Sequence, residues 1–358
     1  MSRRTGADRT FDFDDPRKAL DYLQARPGFL LRRAQQILTS LLNAECQRVR
    51  IDITESQLDA LTLVAAEPHR DQITLARRLG YDRSSTTSII DGLTRRRLVR
   101  RRITTDRRRR SIELAAGALN TLDKAQECSR RAEIKLFSGV SRSKTEQIMD
   151  VLELVAMNPH SAAPNWEPLD PVQRPGLKRH HHLPAIYRTP RFLMGRCIQI
   201  GRSLLHQEIG NLGFMGGGQF GMLFLIAALG PVDQATLGRV LRLDKSSVSI
   251  VLSTLQARGV VDRADDPGDG RRFLVNTTDV GLRLLKQACP RAARADERVF
   301  EALRPGTHRR FIRLLSCLVS SHSGLVGSAN PVSPSNRSPG LKAGRSSTQA
   351  DSWTGPLR

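Results

Sequence analysis

Cysteine and aromatic residues are scarce in this chain of 358 residues. The five cysteines are scattered and include no CxxC pair, which excludes a disulfide framework and a zinc finger. Aromatic residues make up only 4% of the chain, which argues against the base-stacking surfaces of RNA-recognition and single-strand-binding proteins. No run approaches the roughly 18 uncharged apolar residues of a membrane span, so we expect a soluble, cytoplasmic protein that does not contact a membrane.

Acidic residues are too few to balance the basic ones. The chain has 57 Lys and Arg against 35 Asp and Glu, a net charge of +22. An excess of this size indicates a polyanionic partner. Because no Ser/His/Asp set, paired carboxylates or HExxH motif is present, we predict no catalytic residue, no metal site and no cofactor. The protein is therefore not expected to be an enzyme.

The chain contains two copies of one sequence block. Residues 75 to 101 are identical to residues 237 to 263 at ten of 27 positions, far more than chance would give. A stretch with six prolines lies between the blocks, and the end of the chain is rich in Ser, Gly and Pro. The predicted division is a disordered N-terminus at 1–16, a first domain at 17–157, a proline-rich linker at 158–187, a second domain at 188–320 and a disordered tail at 321–358.

Both blocks show the same succession of patterns. A long amphipathic helix opens each block, and the capping box from Thr54 to Gln57 begins the next helix of the first block. Short helices follow at about 72–79 and 234–241, and then Asp82 or Asp244 caps a helix that runs to about Arg96 or Arg258. The apolar residues then recur at every second position, as in the strands of a β-hairpin, with a turn at 265–270 in the second block. Two further helices close each block.

These patterns predict a mainly α fold with small β-hairpin wings. It consists of two winged helix-turn-helix domains plus a helical core that resembles a dimerisation core. The opening and closing helices carry apolar stripes that a lone winged helix could not cover. Each copy therefore needs a partner surface, and the linker is long enough for the two copies to meet.

The second helix of a helix-turn-helix places its first turns in the major groove of DNA. Small hydroxyl side chains let a helix approach closely, and Arg83 and Lys245 add positive charge. The alternative is that Ser and Thr only cap and solvate an exposed helix start. The predicted DNA-binding residues of the two recognition helices are Arg83, Ser84, Ser85, Thr86, Thr87 and Ser88, and Lys245, Ser246, Ser247 and Ser249.

The wings are predicted to contact DNA as well, because an arginine at a turn tip suits a narrow minor groove. Residues 95 to 110 include ten arginines, more than solvation of a surface requires. Residues 75 to 110 carry a net charge of +10, whereas the matching residues 237 to 272 carry +2. We therefore expect the first copy to make most of the phosphate contacts. The predicted wing residues are Asp106, Arg107, Arg108, Arg109 and Arg110, and Asp269, Arg271 and Arg272.

The combined motif resembles the MarR-type winged-helix transcriptional regulators. The likeness lies in the capped helix pair, the segment from Leu255 to Arg263 that ends the recognition helix, the wing Asp-x-Arg and the run from Thr278 to Gly281. The resemblance implies a regulator of transcription that binds double-stranded DNA, more often a repressor, and a small aromatic acid as ligand. Because members usually form homodimers with interlocking terminal helices, a tandem repeat implies a monomeric pseudo-dimer rather than an obligate homodimer.

Two other functions remain open from the residues alone. The charge of +22 suits an architectural protein that binds DNA without sequence preference, and the weakly basic second copy suits a protein-interaction module with only the first winged helix on DNA. Cys46 and Cys197 lie on the opening helices, where some members of the resembled family carry a redox-sensing thiol. The alternative is that both are small buried hydrophobic residues.

Overall fold

The computed structural model describes residues 13, 15–103, 110–158, 166, 185–214, 216–266, 269–301 and 303–322. The elements of the first half are α1 (Pro16–Gln24), α2 (Pro27–Arg48), α3 (Glu55–Ala66), β1 (Arg70–Asp71), α4 (Gln72–Leu79), α5 (Arg83–Arg95), β2 (Val99–Ile103), β3 (Arg110–Leu114), α6 (Ala118–Phe137) and α7 (Arg142–Ala156). The elements of the second half are α8 (Pro190–Ile209), α9 (Gly217–Leu229), β4 (Val232–Asp233), α10 (Gln234–Leu241), α11 (Lys245–Ala257), β5 (Val261–Asp266), β6 (Asp269–Thr277), α12 (Asp279–Val299) and α13 (Thr307–Ser320).

The predicted fold class is confirmed. Each half has a helix-turn-helix, α4 with α5 or α10 with α11, followed by an antiparallel hairpin. The hairpins have matching registers, because Val99 pairs with Leu114 in the first and Val261 with Thr277 in the second. No single helix among the described residues is long and apolar enough to cross a membrane.

The predicted capping residues begin the helices that they were expected to begin. The Thr54 hydroxyl accepts from the backbone N–H of Gln57, and the Gln57 side chain accepts from the backbone N–H of Thr54, which completes the capping box of α3. Asp82 and Asp244 are the caps of α5 and α11. These ends were predictable because a cap depends on residues only two or three positions away.

Other boundaries differ from the predictions. Asp15 caps α1, so Asp15 and Pro16 do not belong to a disordered N-terminus. Short strands β1 and β4 add a third strand to each hairpin, in the orders β1-β3-β2 and β4-β6-β5. The second wing is longer than predicted, since residues 265, 266, 269 and 270 of the expected turn lie in β5 and β6. Most of the predicted linker and tail lies outside the described residues.

One hydrophobic core is built from both halves. Leu30 and Ile37 of α2 lie in the same cluster as Leu193 and Ile200 of α8. Helix α8 also packs on α7, and α2 packs on α13. The stripes that a lone winged helix could not cover are thus buried against the other copy, where removal of apolar surface from water stabilises the fold.

Each winged helix is also covered by a segment from the other half of the chain. Ala19 and Leu23 of α1 lie in the core of the second winged helix, and Tyr22 stacks on Phe224 of α9 at 5.5 Å. The 3₁₀ turn Ala185–Arg188 covers the first winged helix, where the Tyr187 hydroxyl donates to the carbonyl oxygen of Arg78 at 3.1 Å. The halves are therefore interlocked at both ends.

Candidate DNA-binding surface and core cavities

The two recognition helices, α5 and α11, begin with the same hydrogen-bond arrangement. Asp82 accepts from the Ser84 hydroxyl at 2.6 Å, and from the Ser85 backbone N–H at 2.8 Å and hydroxyl at 2.7 Å. Asp244 accepts in the same way from Ser246 and Ser247. Hydrogen bonds from these serines hold the pKa of both carboxyl groups far below its usual value. The serines next to the caps thus fix the helix starts.

The outward face of α5 contains most, but not all, of the predicted recognition residues. Arg83, Ser84, Thr87 and Ser88 line an open surface concavity. Thr86 is fully buried and donates to the carbonyl oxygen of Asp82, so its assignment to the DNA-binding surface is wrong. A periodicity of 3.6 places it on the inner face of the helix, which the run of hydroxyl residues concealed.

Three residues of the same face were missed by the sequence patterns. Asp91, Thr94 and Arg95 continue the line from Arg83 and Thr87 at helical spacing. Asp91 also accepts from Arg101 of β2 at 2.6 Å, and this contact ties the wing to the recognition helix. These residues lie eight, eleven and twelve positions after Arg83, on the same face of the helix. The prediction covered only the first two turns of α5 and therefore did not include them.

The first wing carries less free charge than its composition suggests. Arg100 pairs with buried Glu113 at 2.6 Å, Arg101 with Asp91, and Arg96 with Asp52 at 2.6 Å. These carboxylates relieve part of the repulsion among the arginines. The side chain of Arg110 is exposed at the start of β3. The predicted tip residues Asp106, Arg107, Arg108 and Arg109 lie outside the described residues.

The second recognition surface has a different chemistry. Lys245, Ser246 and Ser249 are exposed as predicted, and Ser247 is half-buried. Two large apolar side chains lie beside them: Ile250 on α11 is 68% exposed and Phe273 on β6 is 56% exposed. The backbones of Asp269, Arg271 and Arg272 belong to β6, and their side chains lie outside the described part of the chain.

A small cavity, here called the arginine cavity, lies between the shared core and the second winged helix. Its volume is about 120 Å³. Residues of α2 and α8 line one side, and residues of α9 and of the turn between α10 and α11 line the other. Its charged lining residues are Arg26, Arg32, Arg33, Arg202, Arg242 and Asp296.

Positive charge exceeds negative charge in the arginine cavity. Arg26 is neutralised, because its Nε donates to Asp296 at 2.7 Å. Burial, and then the charge of Arg202, lowers the pKa of Arg32. Burial, and then the charge of Arg242, lowers the pKa of Arg33. An anion in the cavity would relieve this repulsion.

A second cavity of about 330 Å³, here called the mixed-charge cavity, occupies the matching place beside the first winged helix. Its lining contains two acidic and two basic side chains. Asp59 accepts from Arg191 Nη2 at 2.6 Å, and both residues are buried. Arg196 lies over the Trp166 ring at 4.4 Å, and burial lowers its pKa to about 10. Burial raises the pKa of Glu55 to about 7.

The repeat explains why the two cavities differ. A shift of 163 residues pairs Arg33 with Arg196 and Gln36 with Gln199. At these two positions both cavities therefore have the same residues, an arginine and a glutamine. A shift of 162 residues pairs Glu55 with Gly217 and Asp59 with Gly221. The mixed-charge cavity therefore contains its own carboxylates, and the arginine cavity has glycines at those positions.

The two cysteines proposed as redox sensors are buried. Burial and the neighbouring Cys128 thiol raise the pKa of Cys46 to about 12. Burial also raises the pKa of Cys197 to about 12, against the weaker influence of Arg196, and the thiol donates to the carbonyl oxygen of Leu152 at 3.5 Å. Thiols of this kind are poor nucleophiles, which favours the alternative of small buried hydrophobic residues.

Comparison with known proteins gives matches in both halves. A family model described as MarR family matches residues 51–110 and 213–272. The HTH-type transcriptional repressor NicR of Pseudomonas putida is 30% identical over 103 residues, which are 29% of this chain and 65% of NicR, slightly less than two thirds of that relative.

Solved structures give partial matches as well. The PcaV transcriptional regulator of Streptomyces coelicolor is 30% identical and covers 38% of this chain and 98% of its own, with a TM-score of 0.34. The structure of Bordetella bronchiseptica BpsR, whose DNA binding is regulated by 6-hydroxynicotinic acid, is 25% identical and covers 35% of this chain and 88% of its own, with a TM-score of 0.33.

Proposed function

Because the chain belongs to the MarR family of transcriptional regulators, we propose that it is a sequence-specific repressor that binds double-stranded DNA as a single-chain pseudo-dimer. One observation carries this proposal: two identically capped recognition helices are joined by one core to which both halves contribute. Two such helices suit successive major grooves, about 34 Å apart. The repressor role follows NicR, which is named a repressor.

Ion pairs between the halves, one buried and one partly buried, support the pseudo-dimer. Arg26 of the first half pairs with Asp296 of the second, and Arg191 of the second half pairs with Asp59 of the first. Each of these pairs forms only when the two halves of the chain meet in this arrangement. We therefore expect one chain of 39.8 kDa, free and on DNA, in sedimentation equilibrium. Two chains on one operator would contradict the pseudo-dimer.

The arginine cavity supports a small aromatic carboxylate as the ligand. Its volume of about 120 Å³ is close to the roughly 150 Å³ of a cavity that holds benzene. Arginine binds carboxylates in a bidentate geometry, and Phe29 and Phe220 supply apolar walls. The mixed-charge cavity contains the carboxyl groups of Glu55 and Asp59, which disfavour a second anion there. We therefore expect one anion for each chain.

The position of Arg242 suggests how the ligand affects DNA binding. Arg242 and Leu243 line the arginine cavity and immediately precede Asp244, the cap of α11. Gln36 of α2 donates to the carbonyl oxygen of Arg242 at 3.2 Å, so this turn rests on the core. A carboxylate that draws the Arg242 guanidinium toward α2 would move the recognition helix. DNA affinity would change to the extent that the ligand binds the protein more tightly with the recognition helix in the moved position than in the original one.

Selection from a pool of random duplexes tests the DNA-binding function. We expect enrichment of one sequence with two half-sites, bound at least about 1,000-fold more tightly than unrelated duplex at roughly 0.15 M salt. The variants Arg83→Ala and Lys245→Ala should each weaken protection of a different half-site, which footprinting measures. Equal affinity for all duplexes would identify an architectural protein instead.

Calorimetric titration with benzoate tests the ligand site, with benzamide as the uncharged control. We expect one benzoate per chain and no binding of benzamide. Arg33→Gln should weaken benzoate binding at least about tenfold, because it removes a charge-assisted hydrogen bond. Its repeat equivalent Arg196→Gln should leave the affinity unchanged. Two benzoates per chain, or equal effects of both variants, would contradict the assignment.

A further inference from the structure

The outward faces of the two recognition helices can be compared residue by residue. A shift of 162 places Lys245 at the position of Arg83, Ser249 at that of Thr87 and Ile250 at that of Ser88. Both helices have the same cap and the same hydrogen bonds in their first turn, so these residues occupy equivalent places. The first face is polar throughout this part, whereas the second has an isoleucine at its centre.

Ile250 projects away from the hydrophobic core. It is 68% exposed, and its neighbours on this face, Lys245, Ser246, Ser249 and Ser253, are exposed polar residues. The adjacent Val248 and Leu252 are buried and supply the packing of α11. Ile250 therefore contributes little to the packing of its own domain, and its apolar surface is free for a ligand.

The wing shows a second substitution of the same kind. Phe273 lies four residues before Thr277, the partner of Val261, and Arg110 lies four residues before Leu114, the partner of Val99. Phe273 thus replaces Arg110 on the second long strand of the wing and lines a cleft with Lys245 and Arg263. Cations able to bind phosphate therefore remain in the cleft that Phe273 lines.

Among the base edges in the major groove, the 5-methyl group of thymine is the apolar one. We propose that Ile250 contacts thymine methyl groups, so that the second recognition helix distinguishes its half-site by apolar contact and the first by polar contact. This inference rests on the proposed DNA-binding function. Lys245 and Arg263 complement the phosphates of such a half-site, which favours DNA over an apolar protein surface as the occupant.

Replacement of thymine by deoxyuridine tests the inference, because it removes only the methyl group. The probe is the duplex enriched by the wild-type protein, and the half-site of the second helix is the one whose protection Lys245→Ala weakens. We expect each contacted methyl group to increase the affinity about fourfold, as the burial of one methyl or methylene group does. Ile250→Ser, which installs the residue of the first copy, should bind the thymine and uracil duplexes equally.

Ser88→Ala on the first helix is the matched control and should keep the full difference between thymine and uracil. The inference is overturned if uracil has no effect in this half-site, or if Ile250→Ser retains the wild-type difference. It is also overturned if footprinting finds only the half-site of the first helix, as expected for a protein-interaction surface on the second copy. Failure to enrich any duplex would instead overturn the DNA-binding function on which it rests.

Discussion

Glu55 is a carboxyl group that carries a stability cost at neutral pH. Burial raises its pKa to about 7, and the groups that face it are Thr39, Asp59, Arg191 and Gln35. A carboxyl whose pKa is raised in the folded state favours folding while it is protonated. Its contribution is complete below the unfolded pKa of about 4.3 and is lost as the pH rises through 7.

Glu55→Gln should therefore stabilise the protein more at high pH than at low pH. We expect the excess of the variant over the wild type in free energy of unfolding to be about 2 kcal/mol larger at pH 8 than at pH 5. Urea denaturation at both pH values measures the difference. Glu146→Gln, at an exposed position, should show no such dependence. A constant difference at both pH values would contradict the raised pKa.

Arg191 and Asp59 form the most buried of the ion pairs described above, with side chains that are each 4% exposed. Arg191→Met should lower the free energy of unfolding by about 3 to 5 kcal/mol, because it leaves the Asp59 carboxylate buried without its partner. Addition of Asp59→Leu should recover most of that loss. Urea denaturation of the wild type, the single variants and the double variant gives the coupling energy. Additive effects would mean that the pair does not act as a unit.

At the scale of whole elements, α1 belongs to the first half in sequence and to the second winged helix in packing. Leu23 lies 4% exposed in the cluster with Phe220 and Leu223 of α9. Local patterns could not predict this placement, because it depends on where a distant segment leaves an apolar face uncovered. The caps at Thr54, Asp82 and Asp244 were predictable for the opposite reason, since their partners lie within three residues.

Leu23→Ala should destabilise the second winged helix rather than the first. We expect a loss of about 3 kcal/mol from the cavity left beside α9. Relative to the wild type, hydrogen exchange should become faster in α9 and α11 and change less in α3 and α5. Leu119→Ala on α6, a residue that is 58% exposed, is the control and should change neither region. Faster exchange confined to the first half would contradict the crossed packing.

At the scale of the whole molecule, the two copies have the same fold but differ in net charge. Arg108→Ala with Arg109→Ala should weaken DNA binding and reduce the slope of log affinity against log salt by up to about two units. Arg271→Ala with Arg272→Ala should have a smaller effect, because the second copy carries a net charge of only +2 over the matching residues. Fluorescence anisotropy over a salt series compares them. Equal slopes would refute the asymmetry.

Sequence patterns predicted the fold class and the repeat, but only part of the candidate site. Arg83 and Lys245 were found because charge and caps are local signals. Thr86 was misassigned, since composition does not reveal which face of a helix is buried. The two cavities were not found, because each combines residues from both halves and the decisive difference, Glu55 against Gly217, emerges only after the repeat is superimposed on the structure.

The shared core also has a consequence for how the protein responds to its own abundance. Both halves of the core, including the crossed α1, come from one chain, so its assembly is unimolecular. A homodimeric regulator dissociates on dilution, and its active species then grows with the square of the subunit concentration. In the proposed pseudo-dimer both recognition helices are present in every folded molecule, so operator occupancy, while low, would rise in direct proportion to copy number, even in a cell that holds only a few molecules.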